Sequence, residues 1–136
     1  MPINITTPFR LTYDVSALTQ ATANSNGLAN ASLIAGMTIT PDAGTYSFAF
    51  TGSLGYATSN VNVYCAIYLN GTQYGTGEYN RGCVPFCKNG SAADRQVMAI
   101  SGIITTPGAQ AVEVRWYSGG GAMTCDQRCF TLVQVG

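Results

Sequence analysis

The reactive side chains of this 136-residue chain are five cysteines and six carboxylates, and there is no histidine. Without imidazole the commonest proton acceptor near neutral pH is gone, and with it every Ser-His-Asp or Cys-His arrangement. The carboxylates are Asp14, Asp42, Glu78, Asp94, Glu113 and Asp126, each in a separate stretch. Glycosidase chemistry needs two carboxylates across one bond; two of these could still meet in space, but their scatter over separate elements does not predict such a pair. Asp42 falls in a Pro-Asp-Ala-Gly turn. Glu113 alternates outward beside Arg115, and Asp94-Arg95 and Asp126-Arg128 read as local surface ion pairs of little energetic weight. Gly119-Gly120-Gly121 joins two strands instead of opening a helix, so it is a turn and not a phosphate loop. The expectation is a protein that is not an enzyme, with no catalytic residue and no cofactor.

The cysteines divide into one and four. Cys65 shares an alternating apolar face with Val63 and Ile67, which predicts a buried thiol. Cys83, Cys87, Cys125 and Cys129 form two matched pairs, Cys-Val-Pro-Phe-Cys and Cys-Asp-Gln-Arg-Cys. In an extended strand a four-residue offset spans about 13 Å, too far for a disulfide within that strand. Three readings stay open. Two disulfides can tie the 80–90 loop to the last strand, each worth about 2–4 kcal/mol, or either pair can bridge locally if it sits on a tight loop. Four thiolates can hold one zinc, although C-x₃-C is not the usual knuckle spacing. Or the thiols are free.

The elements that position these residues read as strands. Tyr46, Phe48 and Phe50 alternate on one face of 45–51. Val63, Cys65, Ile67 and Leu69 line one side of the next run, with Tyr64 and Tyr68 on the other. Asn70-Gly71 then predicts a tight hairpin turn, with 72–79 as the returning strand. Further strands are expected over 9–15, 32–40, 96–105, 111–117 and 129–135, with Val112, Val114 and Trp116 facing inward. About eight strands with turn signals every ~8–12 residues predict an all-β, antiparallel sandwich or barrel. Residues 1–31 read as an N-terminal arm and loop, and 32–136 as the folded domain.

Charge sharpens the functional expectation. Six basic residues balance six acidic ones, and only 9% of residues are charged, against roughly 25% in ordinary domains. No basic excess exists to neutralise phosphates, so no nucleic-acid partner is expected. No apolar run is long enough to cross a membrane as a helix, and the first residues lack the pattern of a secretory signal. With so few charges, strands that are apolar on both sides must hide one side against a partner. Cys129, Thr131, Val133 and Val135 take one side of the last strand, and Phe130 and Leu132 the other. The residues expected at a contact between copies are Tyr64, Tyr68, Trp116, Phe130 and Leu132.

Several segments carry a resemblance: GMTITPDAGTYSFAF, NVNVYCAIYLNGTQ and AVEVRWYSGGGAMTCDQRCFTLVQV. Over about residues 32–135 they are similar to phage and bacterial proteins whose domains resemble the tumour-necrosis-factor and complement-head jelly roll. The resemblance implies a jelly-roll domain assembled as a homotrimer. It further implies a virion protein, specifically a bacteriophage capsid decoration (cement) protein on the outer capsid surface that bridges and stabilises major capsid subunits. Only about thirty polar residues precede the domain, which favours a decoration over a stalked fibre. Ile3, Ile5 and Phe9 of the arm, with Val84 and Phe86 of the 80–90 loop, are the expected capsid contacts. The alternative is the receptor- or glycan-binding head of a fibre or tail, with Tyr74, Tyr79 and Tyr117 stacking on sugars.

Overall fold

A computed structural model describes residues 10–23, 30–56, 63–75, 95–118 and 121–136. Among the described residues there are nine strands. They are β1 (Thr12–Ala17), β2 (Ala21–Ala23), β3 (Ser32–Ile39), β4 (Gly44–Tyr56), β5 (Val63–Leu69), β6 (Thr72–Gln73), β7 (Gln96–Thr106), β8 (Val112–Ser118) and β9 (Met123–Gln134). Every pairing is antiparallel. The large sheet runs β1-β9-β4-β7, with β2 continuing along β9 beyond β1, and the small sheet runs β3-β8-β5-β6.

The alternation that marks these strands is what holds the sheets together. From the large sheet, Tyr46, Phe50, Met98, Ile100, Ile104, Phe130 and Leu132 are buried. They form one cluster with Ile34, Met37, Val63, Cys65, Ile67, Val112, Val114 and Trp116 of the small sheet. A core of this kind is the dominant stabilising term of a sandwich, since burying each large apolar side chain contributes about 1.5–3 kcal/mol. Gly102 makes room within it, because a Cβ there would stand 2.8 Å from the Phe48 ring. Asn70 and Gly71 both have positive φ, 49° and 76°, which the tight β5–β6 turn demands.

Three differences from the sequence expectation bear on the site. Strand structure runs past the stretch expected at 9–15 into the segment read as arm and loop, because β1 and β2 pair with β9 and send Val15, Ala17 and Ala21 toward the core. Second, β9 starts at Met123 and not near Cys129. A bulge hides its first half: Leu54 faces Cys125 while Gly52 faces Arg128, so two residues of β9, Asp126 and Gln127, sit against one of β4. An extra residue inverts which face each later side chain takes. Third, Trp116, Phe130 and Leu132 are 0–1% exposed between the two sheets of a single chain. They belong to the chain's own core, which corrects their expected place at a contact between copies.

Candidate interaction surface

The two sheets have outer faces of different character. On the small sheet, Tyr64 and Tyr68 do point away from the core, as alternation predicts, but their surroundings are already filled. Tyr64 stacks on Tyr117, with ring centroids 4.7 Å apart and planes within 12°. The Arg115 guanidinium lies 4.8 Å above the Tyr68 ring. Its Nη2 also reaches Glu113 Oε2 at 2.6 Å, and its Nε donates to the same oxygen at 2.8 Å. Ala31, Ala66, Tyr68 and Tyr117 form a second buried cluster, against which Tyr64 packs. Tyr117 is therefore not the exposed sugar platform expected of a glycan-binding head. Tyr74 is half-buried, and its hydroxyl accepts a bond from the Thr105 amide at 3.2 Å. Tyr79 lies outside the described residues.

The outer face of the large sheet is bare by comparison. Its register sets out three rows across the strands: Ser16–Cys129–Thr51–Ala99, Asp14–Thr131–Ala49–Ser101 and Thr12–Val133–Ser47–Ile103. These rows hold one charged residue, Asp14, whose Oδ1 accepts a bond from the Thr131 hydroxyl at 2.6 Å. Most of the other side chains are small: serine, threonine, alanine and cysteine. At the rim, Leu18 is 79% exposed, Val97 77% and Ile103 57%. A shallow groove of ≈ 380 Å³ crosses one end, lined by Ser16, Leu18, Thr51, Gly52, Ser53, Val97, Gln127, Arg128 and Cys129. Charge depletion over a continuous face is what the core of a protein contact selects.

Beneath that groove Arg128 fixes a corner of the fold. The bulge turns it inward, where it is 5% exposed. Its Nε donates to the Ala35 carbonyl at 2.8 Å. Its Nη1 donates to the carbonyls of Thr19 (2.6 Å), Asp126 (2.8 Å) and Cys125 (3.1 Å). One guanidinium thus ties together the break between β1 and β2, the irregular part of β3 and the bulge of β9. The expected Asp126-Arg128 ion pair does not form. The Asp126 carboxylate instead meets Arg95 Nη2 at 2.9 Å and accepts from Gln20 Nε2 at 3.0 Å. A buried charge needs such partners, since stranding it would cost several kcal/mol.

The bulge also separates the two cysteines of β9. Cys125 is buried on the core side and Cys129 is exposed on the outer face; both are free thiols. Burial pushes the Cys125 thiol up to about 11, with Arg128 pulling the other way and Asp126 reinforcing the rise. Cys129 instead makes a 3.1 Å contact with the Thr51 hydroxyl. Two sulfurs on opposite faces of one strand cannot serve a single four-thiolate zinc, which removes that reading for the pair. Cys65 is buried, as its face predicts. Cys83 and Cys87, and the expected capsid contacts Ile3, Ile5, Phe9, Val84 and Phe86, lie outside the described residues.

The chain matches no defined protein family and no curated protein by sequence. Solved structures do match its fold. It is similar to VP2 of infectious bursal disease virus in the subviral particle, at 14% identity and TM-score 0.62, over 93% of this chain and 33% of VP2. In the T13 particle of the same virus the values are 10% and 0.64, over 92% of this chain and 31% of that one. The globular domain of zebrafish complement 1qA matches at 13% identity and TM-score 0.51, over 90% of this chain and 97% of that domain. The fold is therefore all-β and jelly-roll-like, of the kind built into these viral capsid and complement proteins. The chain spans about a third of the length of the VP2 chains it matches.

Proposed function

We propose that this protein is a structural component of a virion: a bacteriophage capsid decoration protein, associating as a homotrimer on the outer capsid surface and bridging major capsid subunits. The observation that carries the reading is the outer face of the large sheet, whose three rows hold a single charge, on a jelly-roll-like fold. Leu18, Val97 and Ile103 on and around that face stand exposed to water, and the chain has few charges to surround them. Copies burying it against each other remove apolar surface from water at about 25 cal/mol per Å². Contacts made only in the assembled shell then stabilise the shell by mass action. The contact between copies moves from the tyrosine-bearing sheet to the opposite one, because Tyr64 and Tyr68 are already covered by Tyr117 and Arg115. Catalysis, nucleic acid and membrane have no part in this reading.

Light scattering on the purified protein, with image reconstruction of shells to which it has been added, tests the proposal. The expected results are three copies per particle at micromolar concentration and added density at threefold or quasi-threefold points of the outer surface. A monomer at all concentrations, or density confined to a tail or vertex, overturns it.

A further inference from the structure

We infer that the outer edge of β7, which pairs with no further strand among the described residues, is a seam at which two copies of this chain join, β7 against β7, antiparallel. Edge strands invite pairing, and proteins guard them by shortness, breaks, bulges, charge or proline. Three of the four sheet edges described here are guarded. The β1/β2 edge is broken between Ala17 and Ala21. β3 carries a register break with Gly36 at φ 83°. β6 is two residues long. β7 has none of these devices. It runs eleven residues, Gln-Val-Met-Ala-Ile-Ser-Gly-Ile-Ile-Thr-Thr, without a charge or a proline. It pairs with β4 along its whole length without a register shift.

The direction of its backbone groups follows from the ladder. The Thr45 amide donates to the Gly136 carbonyl and its own carbonyl accepts from Val135, so both point toward β9 and away from β7. Thr105 is the partner of Thr45, and its amide accordingly points off the sheet, to the Tyr74 hydroxyl. By alternation Val97, Ala99, Ser101 and Ile103 also aim their amides and carbonyls outward. Among the described residues the outward amides and carbonyls of these four residues meet no hydrogen-bond partner.

A second copy fits this edge better than an unrelated strand. In a twofold antiparallel pair each residue meets one from its own sequence, so any charge on the strand would face near-copies of itself. Residues 96–106 carry none, and Arg95, just before them, is neutralised by Asp126 at 2.9 Å. Centred on Ser101, the pair sets Ala99 opposite Ile103 and forms about six backbone bonds while leaving Tyr74 on Thr105. The seam uses the edge of the large sheet and leaves its outer face free, so it is separate from the trimer contact proposed above.

Ser101→Pro tests the seam, because the Ser101 amide points away from β4 and its loss breaks no bond within the chain. In the unmodified protein, amides of Ala99, Ser101 and Ile103 are expected to exchange roughly tenfold more slowly as concentration rises through association. Ser101→Pro should halve the mass of the largest species and leave any trimer intact. Ala49→Lys, on the outer face, should remove the trimer and leave a dimer. Three results overturn the seam: exchange of those amides at open-loop rates at every concentration, unchanged association of Ser101→Pro, or protection that arises only when shells are added, which would assign the edge to another protein's strand. If Ser101→Pro does not fold, the exchange measurement on the unmodified chain decides.

Discussion

The two outer faces of this sandwich solve the same problem in opposite ways. Both belong to a chain with few charges, and both must meet something other than core. The small sheet covers itself, with a stacked tyrosine pair, an arginine laid over a third tyrosine, and a glutamate holding that arginine. The large sheet offers rows of short uncharged side chains, with exposed Leu18, Val97 and Ile103 around them. Bulky side chains suit a face that must finish its own packing. Short ones leave a flat surface that a second molecule can approach closely. A face crowded with tyrosine is thus the poorer guide to a partner than one stripped of bulk and charge.

Substitutions can break or sharpen this contrast. The largest effect belongs to the core that both faces share. Phe130→Ala should lower unfolding stability by about 3–5 kcal/mol in denaturant titration, and a loss under 1 kcal/mol would return Phe130 to the surface. Arg128→Met should cost about 2–4 kcal/mol, because four carbonyls lose a charged donor in a buried corner. The same titration reads it.

Tyr117→Ala removes the stack on Tyr64 and should cost about 1–3 kcal/mol without changing the number of copies by light scattering. A change in mass would make the small sheet the contact. The Cys125 thiol adds a pH dependence. Its folded value, about 11, lies above its unfolded one, so the contribution is fully present below about pH 8.5 and is lost as pH rises through 11. Cys125→Ser should flatten that part of the stability profile.

Ala49→Lys should have the smallest effect on the chain itself, within about 0.5 kcal/mol, yet reduce the assembly to smaller species. Alkylation near neutral pH complements it. Cys129 should react in the dissociated protein and be shielded in the assembled one, with Cys125 unreactive in both. Equal labelling of Cys129 in the two states would leave the large face uncovered.

Much of this contrast can be read from residue order, and what cannot has identifiable causes. Period-two alternation located β4, β5, β7 and β8, and Asn70-Gly71 located the β5–β6 hairpin turn with its two positive φ values. Alternation also put Tyr64 and Tyr68 on the outer side of β5. It could not say that Tyr117 and Arg115 would cover them, because that depends on which strands become neighbours. The strand expected over 9–15 anticipated β1 in part, whereas β2 escaped notice because it is three residues long and its alanines and threonine carry little hydrophobic signal. The first half of β9 escaped because two extra-ladder residues interrupt its pattern. Arg128 was read as a surface ion for the same reason, since without the bulge it would share a side with Asp126.

That interruption also sets where the chain can vary in length. Losing one residue from Asp126-Gln127 would only remove the bulge, leaving one residue opposite Ser53 and keeping Phe130 and Leu132 on the inner side. Losing one residue just after Arg128 would instead carry every later side chain of the strand through the sheet, so that Thr131 and Val133 would enter the interior while Phe130 and Leu132 would emerge into water. A single lost codon there would turn the molecule inside out along a strand that β1, β2 and β4 all share, whereas a gap in the Asn70-Gly71 tip would alter only a hairpin.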